Sequence, residues 1–109
     1  MAKVKVFQVN LDRDMNRVGF MGYDFVLEKQ KKLDASIYDC VFDGNVETDD
    51  LDNLFMMCNL NKPNGYVGRS MSVSDVVKMN DDYYYVDDIG FVKIPFDETK
   101  TQMSKRFAL

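Results

Sequence analysis

The chain has 109 residues, 46% apolar and 13% aromatic, enough for one compact domain; its charged residues carry both signs interspersed at a net −4, which excludes wholesale disorder. Histidine is absent, and this excludes Ser-His-Asp and Cys-His nucleophilic catalysis, histidine general-base chemistry and zinc sites built on imidazole. Apolar runs last only a few residues, short of the roughly 20 that cross a bilayer, so no membrane partner is expected.

Lys3 to Asn10 alternates and reads as a strand, with Val4, Val6 and Gln8 on one face and Phe7 and Val9 on the other. The segment MAKVKVFQVN lacks the apolar stretch and small-residue cleavage site of a signal peptide, so the expected location is the cytoplasm of whichever cell makes the protein. Asp, Asn and Gly in LDRDMNRVG make a loop. From Met21 to Lys32 a short helix is predicted, with Lys29, Lys31 and Lys32 placed to complement its dipole. IYDCVFDGNV alternates Ile37, Asp39 and Val41 against Tyr38, Cys40 and Phe42, a second strand ending in a turn at Asp43-Gly44.

Thr48 is the expected N-cap of a second helix, because Asp49, Asp50 and Asp52 put negative charge in its first turn. Leu51, Leu54, Phe55 and Cys58 then line one apolar face. NLNKPNG ends the helix. From Ser72 to Ile94 the pattern is a meander: Val76 to Met79, a turn at Asn80-Asp81-Asp82, Tyr83 to Val86, a bend at Asp87-Asp88 and Gly90, then Phe91 to Ile94, with Pro95 closing the sheet. The predicted fold is a small α+β domain over residues 1–96, an antiparallel or mixed sheet with two helices packed on one side. Residues 97–109 read as a polar tail of uncertain order.

Candidate sites compete with structural roles. Cys40 and Cys58 have no CxxC spacing and read as buried thiols. Acidic clusters at Asp12 and Asp14, at Asp49, Asp50 and Asp52, and at Asp81, Asp82, Asp87 and Asp88 would imitate a phosphate backbone if gathered on one surface. Helix capping and turn chemistry explain the second and third more simply. None has the spacing of a known metal loop, so neither metal nor cofactor is expected. Tyr83, Tyr84 and Tyr85 must alternate across the sheet, leaving either Tyr84 or the Tyr83–Tyr85 pair facing outward; beside Arg69 they would make a partner-binding surface. The plainer reading of the tyrosines is β propensity and core packing.

Ser70, Ser72, Ser74 and Asp75 suggest a nucleophile, but SVSDVV reads more simply as a backbone turn whose side-chain oxygens accept local amides. Met56 and Met57 are either core filling or adaptable contacts. Lys29, Lys31, Lys32, Lys62, Arg69, Lys100, Lys105 and Arg106 are too few, in an acidic chain, for direct nucleic-acid binding to be expected.

The pieces VKVFQVN, IYDCVFDGNV, LDNLFMMCNLNKPNGYVGRSMSVSDVV and YYYVDDIGFVKIPF together resemble the YodL-like domain family, the pairing of SVSDVV with YYYVDDIGF being the specific part. Some members have a histidine just before the SVSDVV segment where this chain has Arg69, so no histidine role carries over. The resemblance implies a setting in phages, plasmids and conjugative elements, and no reaction. The expected function is a non-enzymatic protein-binding module of a mobile genetic element, acting on a host or element-encoded protein complex, in its sharper form against a host defence system of the CRISPR or restriction kind. The alternative is a scaffold or assembly module for conjugation or replication proteins. The span from Met1 to Leu109 leaves little room for neighbouring domains, which favours the first.

Overall fold

The first strand is apolar on both of its faces, and the architecture follows from covering both. The computed structural model describes residues 2–104. Among these, β1 (Ala2–Val9), β2 (Tyr38–Val46), β3 (Val76–Met79), β4 (Asp82–Val86), β5 (Phe91–Ile94) and β6 (Gln102–Met103) form one sheet in the order β5-β4-β3-β1-β2-β6, joined by helices α1 (Tyr23–Gln30) and α2 (Leu51–Leu60). All neighbours run antiparallel except β2 and β6, so the sheet is mixed and the class is α+β.

Register divides the side chains into two cores. Val4 lies opposite Met79, and Val6 opposite Val77 and Phe42; with Val46 and Val86 they form one face, closed by Leu54 and Cys58 of α2. Phe7 lies opposite Val76 and Cys40, and Val76 opposite Tyr85; with Val9, Tyr38 and Ile94 they form the other, closed by Val26 of α1. The helices therefore cover opposite faces, which corrects the expectation of two helices on one side. A central strand bearing Val4 and Val6 on one face and Phe7 and Val9 on the other needs apolar cover on each.

Strict alternation also fails in β2. Val6 pairs with Phe42 and Phe7 with Cys40, so Val41 is the extra residue of a bulge, and both Val41 and Phe42 enter the α2-side core while Cys40 enters the other. The α2 cap is Asp50, whose side chain accepts from the Asp52 amide; Thr48 accepts from Asp50 N one step earlier. That displaces Thr48 as the predicted cap. Asn80 at the β3–β4 turn takes φ 58°, and Gly90 takes φ 72°.

Residues 97–104, read as the start of a tail, fold onto the sheet. Phe96 packs its ring 5.1 Å from Phe7 and 5.4 Å from both Tyr38 and Tyr83. Asp97 then caps a short 3-10 turn, Glu98–Lys100, and β6 pairs with β2 through Asp39 and Cys40. The rest of the predicted tail, with Lys105 and Arg106, lies outside the described residues.

Candidate functional site

The meander distributes the three tyrosines over two covered faces, so none is freely outward. Tyr85 is fully buried and donates from its hydroxyl to Met21 O at 2.6 Å. Tyr83 is half-buried on the same face and donates to Glu98 Oε1 at 2.6 Å. Tyr84 is half-buried on the α2 side, with the Phe55 and Phe91 cluster. Two-sided cover, which the sequence reading did not include, removes the choice between an inward and an outward set.

Arg69 belongs to the connection that crosses the sheet between α2 and β3. One of its guanidinium amines donates to Val9 O at 3.0 Å, and the group lies 5.0 Å from the centre of the Phe20 ring. Its backbone joins a buried polar network. Gln8 Nε2 donates to Arg69 O (2.9 Å) and Asp75 Oδ2 (3.0 Å), Gln8 Oε1 accepts from Arg69 N (3.1 Å), and the Tyr66 hydroxyl donates to Arg69 O (2.8 Å). Asp75 Oδ2 also accepts from Ser72 N at 3.0 Å. The alternation that points Gln8 inward with Val4 and Val6 thus supplies the amide that holds this crossing.

Asp75 is wholly buried, and burial pushes its carboxyl up to about 7 against the lowering effect of the Ser72 amide, the Gln8 amide and the Arg69 charge. Its Oδ1, with Ser72 Oγ and Arg69 Nε, has no hydrogen-bond partner in the structure. Ser74 adopts φ 86°, accepts at Oγ from Phe20 N (2.8 Å), and its carbonyl accepts from the Tyr38 hydroxyl (2.6 Å). The serines and aspartate of SVSDVV are therefore joints between segments. Burial likewise pushes the thiols of Cys40 and Cys58 up, to about 11 and about 12, which makes both poor nucleophiles at neutral pH. Among the described residues no group of three or more Cys, Asp or Glu side chains is placed to hold a metal.

By sequence the β1–α1 loop is ordinary turn chemistry, built from Asp, Asn and Gly. In it Leu11, Met15, Phe20 and Met21 are all exposed, Met15 at 86% and Phe20 at 48%. A groove of about 570 Å³ runs among Leu11, Met15 and Met21, with Asp12, Asp14 and Arg17 on its walls. The loop is tied down at many points. Asp14 accepts from the amides of Val18 (2.9 Å) and Gly19 (2.8 Å), Arg13 bonds Ser36 O, Tyr38 O and Asp39 Oδ1, and the Val18 side chain is fully buried. Arg17 at φ 54° and Phe20 at φ 67° hold left-handed backbone that non-glycine residues rarely adopt. The signal available in the sequence was four large apolar residues within an otherwise polar loop.

This loop gathers part of the predicted site and not the rest. Arg69 covers Phe20, Tyr85 bonds Met21 O, and Asp87 Oδ1 accepts from Tyr23 N at 3.1 Å, which supplies the cap that Gly22 lacks at the start of α1. A Cβ on Gly22 would come within 2.5 Å of Asp88 Oδ2, so Asp88 lies against the same corner. Tyr84 points to the opposite face, Tyr83 goes to Glu98, and Asp81 and Asp82 sit at the β3–β4 turn, where Asp82 pairs with Lys93 at 3.3 Å. Of the predicted acidic clusters, Asp14, Asp50 and Asp87 each use a carboxylate oxygen to bind backbone amides.

The family model of the YodL-like domain matches residues 3–96, and the chain belongs to that family. No curated protein and no solved structure matches it. Among the described residues no helix is long and apolar enough to cross a membrane.

Proposed function

We propose that this YodL-like domain is a non-enzymatic protein-binding module whose contact surface is the β1–α1 loop. The observation that carries the reading is the display of Leu11, Met15, Phe20 and Met21 on a backbone strained at two positions and tied at Arg13, Asp14 and Val18. Exposed apolar groups clustered in one loop favour burial against a partner, and strain persists only where the surroundings over-determine it, as at binding sites. A loop already ordered gives up little entropy on binding. Asp12 and Asp14 share the groove walls with Arg17, and Asp87 and Asp88 lie at the neighbouring Gly22 corner, so carboxylates outnumber cations around the apolar centre and favour a partner that is basic there. The chain's net charge of −4 adds electrostatic steering toward such a surface.

The mobile-element setting implied by the resemblance makes a basic, nucleic-acid-handling defence complex of a bacterial host the partner of first choice, bound in trans. The experiment is a tagged pull-down from bacterial lysate with mass spectrometry, comparing the intact chain with a Leu11→Asp, Met15→Asp double variant. Capture of a nuclease or other defence complex by the intact chain, and its loss in a folded variant, is the expected result. Capture of conjugation or replication proteins alone supports the scaffold reading instead, and a captured set unaffected by the two substitutions removes the loop from the account.

A further inference from the structure

Across the sheet, one row of register partners on the α1 side runs Asp43, Lys5, Lys78, Tyr83, Ile94. Lys5 and Lys78 stand directly opposite each other, an arrangement that like charges disfavour. Glu98 resolves it: Oε2 accepts from Lys5 Nζ at 2.8 Å, and Oε1 accepts from Lys78 Nζ at 2.5 Å and from the Tyr83 hydroxyl at 2.6 Å. The charged side chains are only 22–27% exposed. Burial raises the Glu98 carboxyl, but the hydrogen bonds from Lys5, Lys78 and Tyr83 outweigh it and hold it at about 2.

The cations and the anion fall on different sides of the family match. Lys5, Lys78 and Tyr83 lie within the family-matched residues 3–96, and Glu98 lies outside them. It is delivered by a three-residue 3-10 turn, capped by Asp97, and a two-residue strand that pairs only at the sheet edge, with Asp39 and Cys40 of β2; both elements are short, and edge segments of this kind open at lower cost than the central strands. The aromatic lock of Phe96 precedes it, so the domain's closing strand does not depend on where Glu98 goes.

We infer that Lys5, Lys78 and Tyr83 form a carboxylate-binding site of the domain, occupied in this chain by its own Glu98, and that an acidic peptide segment of a partner protein takes the same place when residues 97–104 are displaced. The donor set matches a carboxylate, with two donors on one oxygen and one on the other. Tethering gives Glu98 a high effective concentration, so an outside carboxylate binds weakly until Glu98 is removed. This surface is independent of the β1–α1 loop.

The test is fluorescence anisotropy of a labelled hexaglutamate peptide at low ionic strength, with the full chain. Glu98→Ala is expected to bind at least tenfold more tightly than wild type. Glu28→Ala, an equal charge change at an exposed position of α1, is expected to bind as wild type does. Adding Lys5→Gln and Lys78→Gln to Glu98→Ala is expected to abolish the gain. Glu98→Gln, which keeps the side-chain size, repeats the comparison if the alanine variant does not fold. No gain on removing the Glu98 charge, an equal gain in Glu28→Ala, or a gain that survives loss of both lysines overturns the inference.

Discussion

Replacing Asp75 with Asn is expected to stabilise the protein at pH 8 and to abolish most of its pH dependence between pH 5 and pH 8. The folded carboxyl is pushed up to about 7 by burial, against an unfolded value of about 3.9. Between those limits the folded chain holds a proton that the unfolded chain has lost, so stability falls as pH rises and levels off above pH 7. At roughly 1.36 kcal/mol per unit the full effect is on the order of 4 kcal/mol, of which about 2.5 kcal/mol falls between pH 5 and pH 8.

An Asn at this position keeps an oxygen for the Gln8 and Ser72 donors and carries no charge to be desolvated. The window is clean because the chain has no histidine and because Glu98, held at about 2, loses its stabilising charge only as pH falls below the ordinary carboxylate range. The assay is urea denaturation followed by far-UV circular dichroism at pH 5, 6, 7 and 8. Wild-type stability that stays flat or rises with pH, or an Asp75→Asn variant that keeps the wild-type slope, would refute the reasoning.

Two further substitutions probe the crossing and the loop. A Cβ at Gly68 would lie 2.3 Å from Gln8 Oε1 and 2.8 Å from Val41 Cβ, so Gly68→Ala is expected to cost about 1–3 kcal/mol in chemical denaturation; an unchanged midpoint would mean the crossing can lift off the sheet without loss. Asp14→Ala removes the acceptor for the Val18 and Gly19 amides, at an expected cost of about 1 kcal/mol. It should speed hydrogen exchange of the Arg17–Met21 amides before it affects the sheet, and uniform exchange changes across the protein would contradict that local role.

The legible parts of this fold are those set by local pattern. Alternation in Lys3 to Asn10 specified β1 and the inward direction of Gln8, the Leu54–Cys58 stripe specified the buried face of α2, and the polar break at Asn80 specified the β3–β4 turn. Each depends on neighbours a few residues away, through the two-residue period of a strand or the 3.6-residue period of a helix. Family wording in SVSDVV and YYYVDDIGF marked a real structural unit, in which Ser74 N bonds Val86 O and Val86 N bonds Asp75 O. That wording did not locate a site.

Only tertiary structure decided the rest, because it depends on partners distant in the chain. The helices separated to opposite faces because a strand apolar on both sides must be covered twice, and this also drew Tyr83, Tyr84 and Tyr85 inward. The Val41 bulge came from the register of β1 against β2, which no local period records. Arg69 was placed over Phe20 and Asp87 at the start of α1 by contacts spanning 49 and 64 residues, and the same long reach bound Glu98 to Lys5. The exposed apolar loop emerged for the converse reason. Its backbone is fixed by buried anchors elsewhere, so Leu11, Met15, Phe20 and Met21 stay outside although their side chains alone would favour burial.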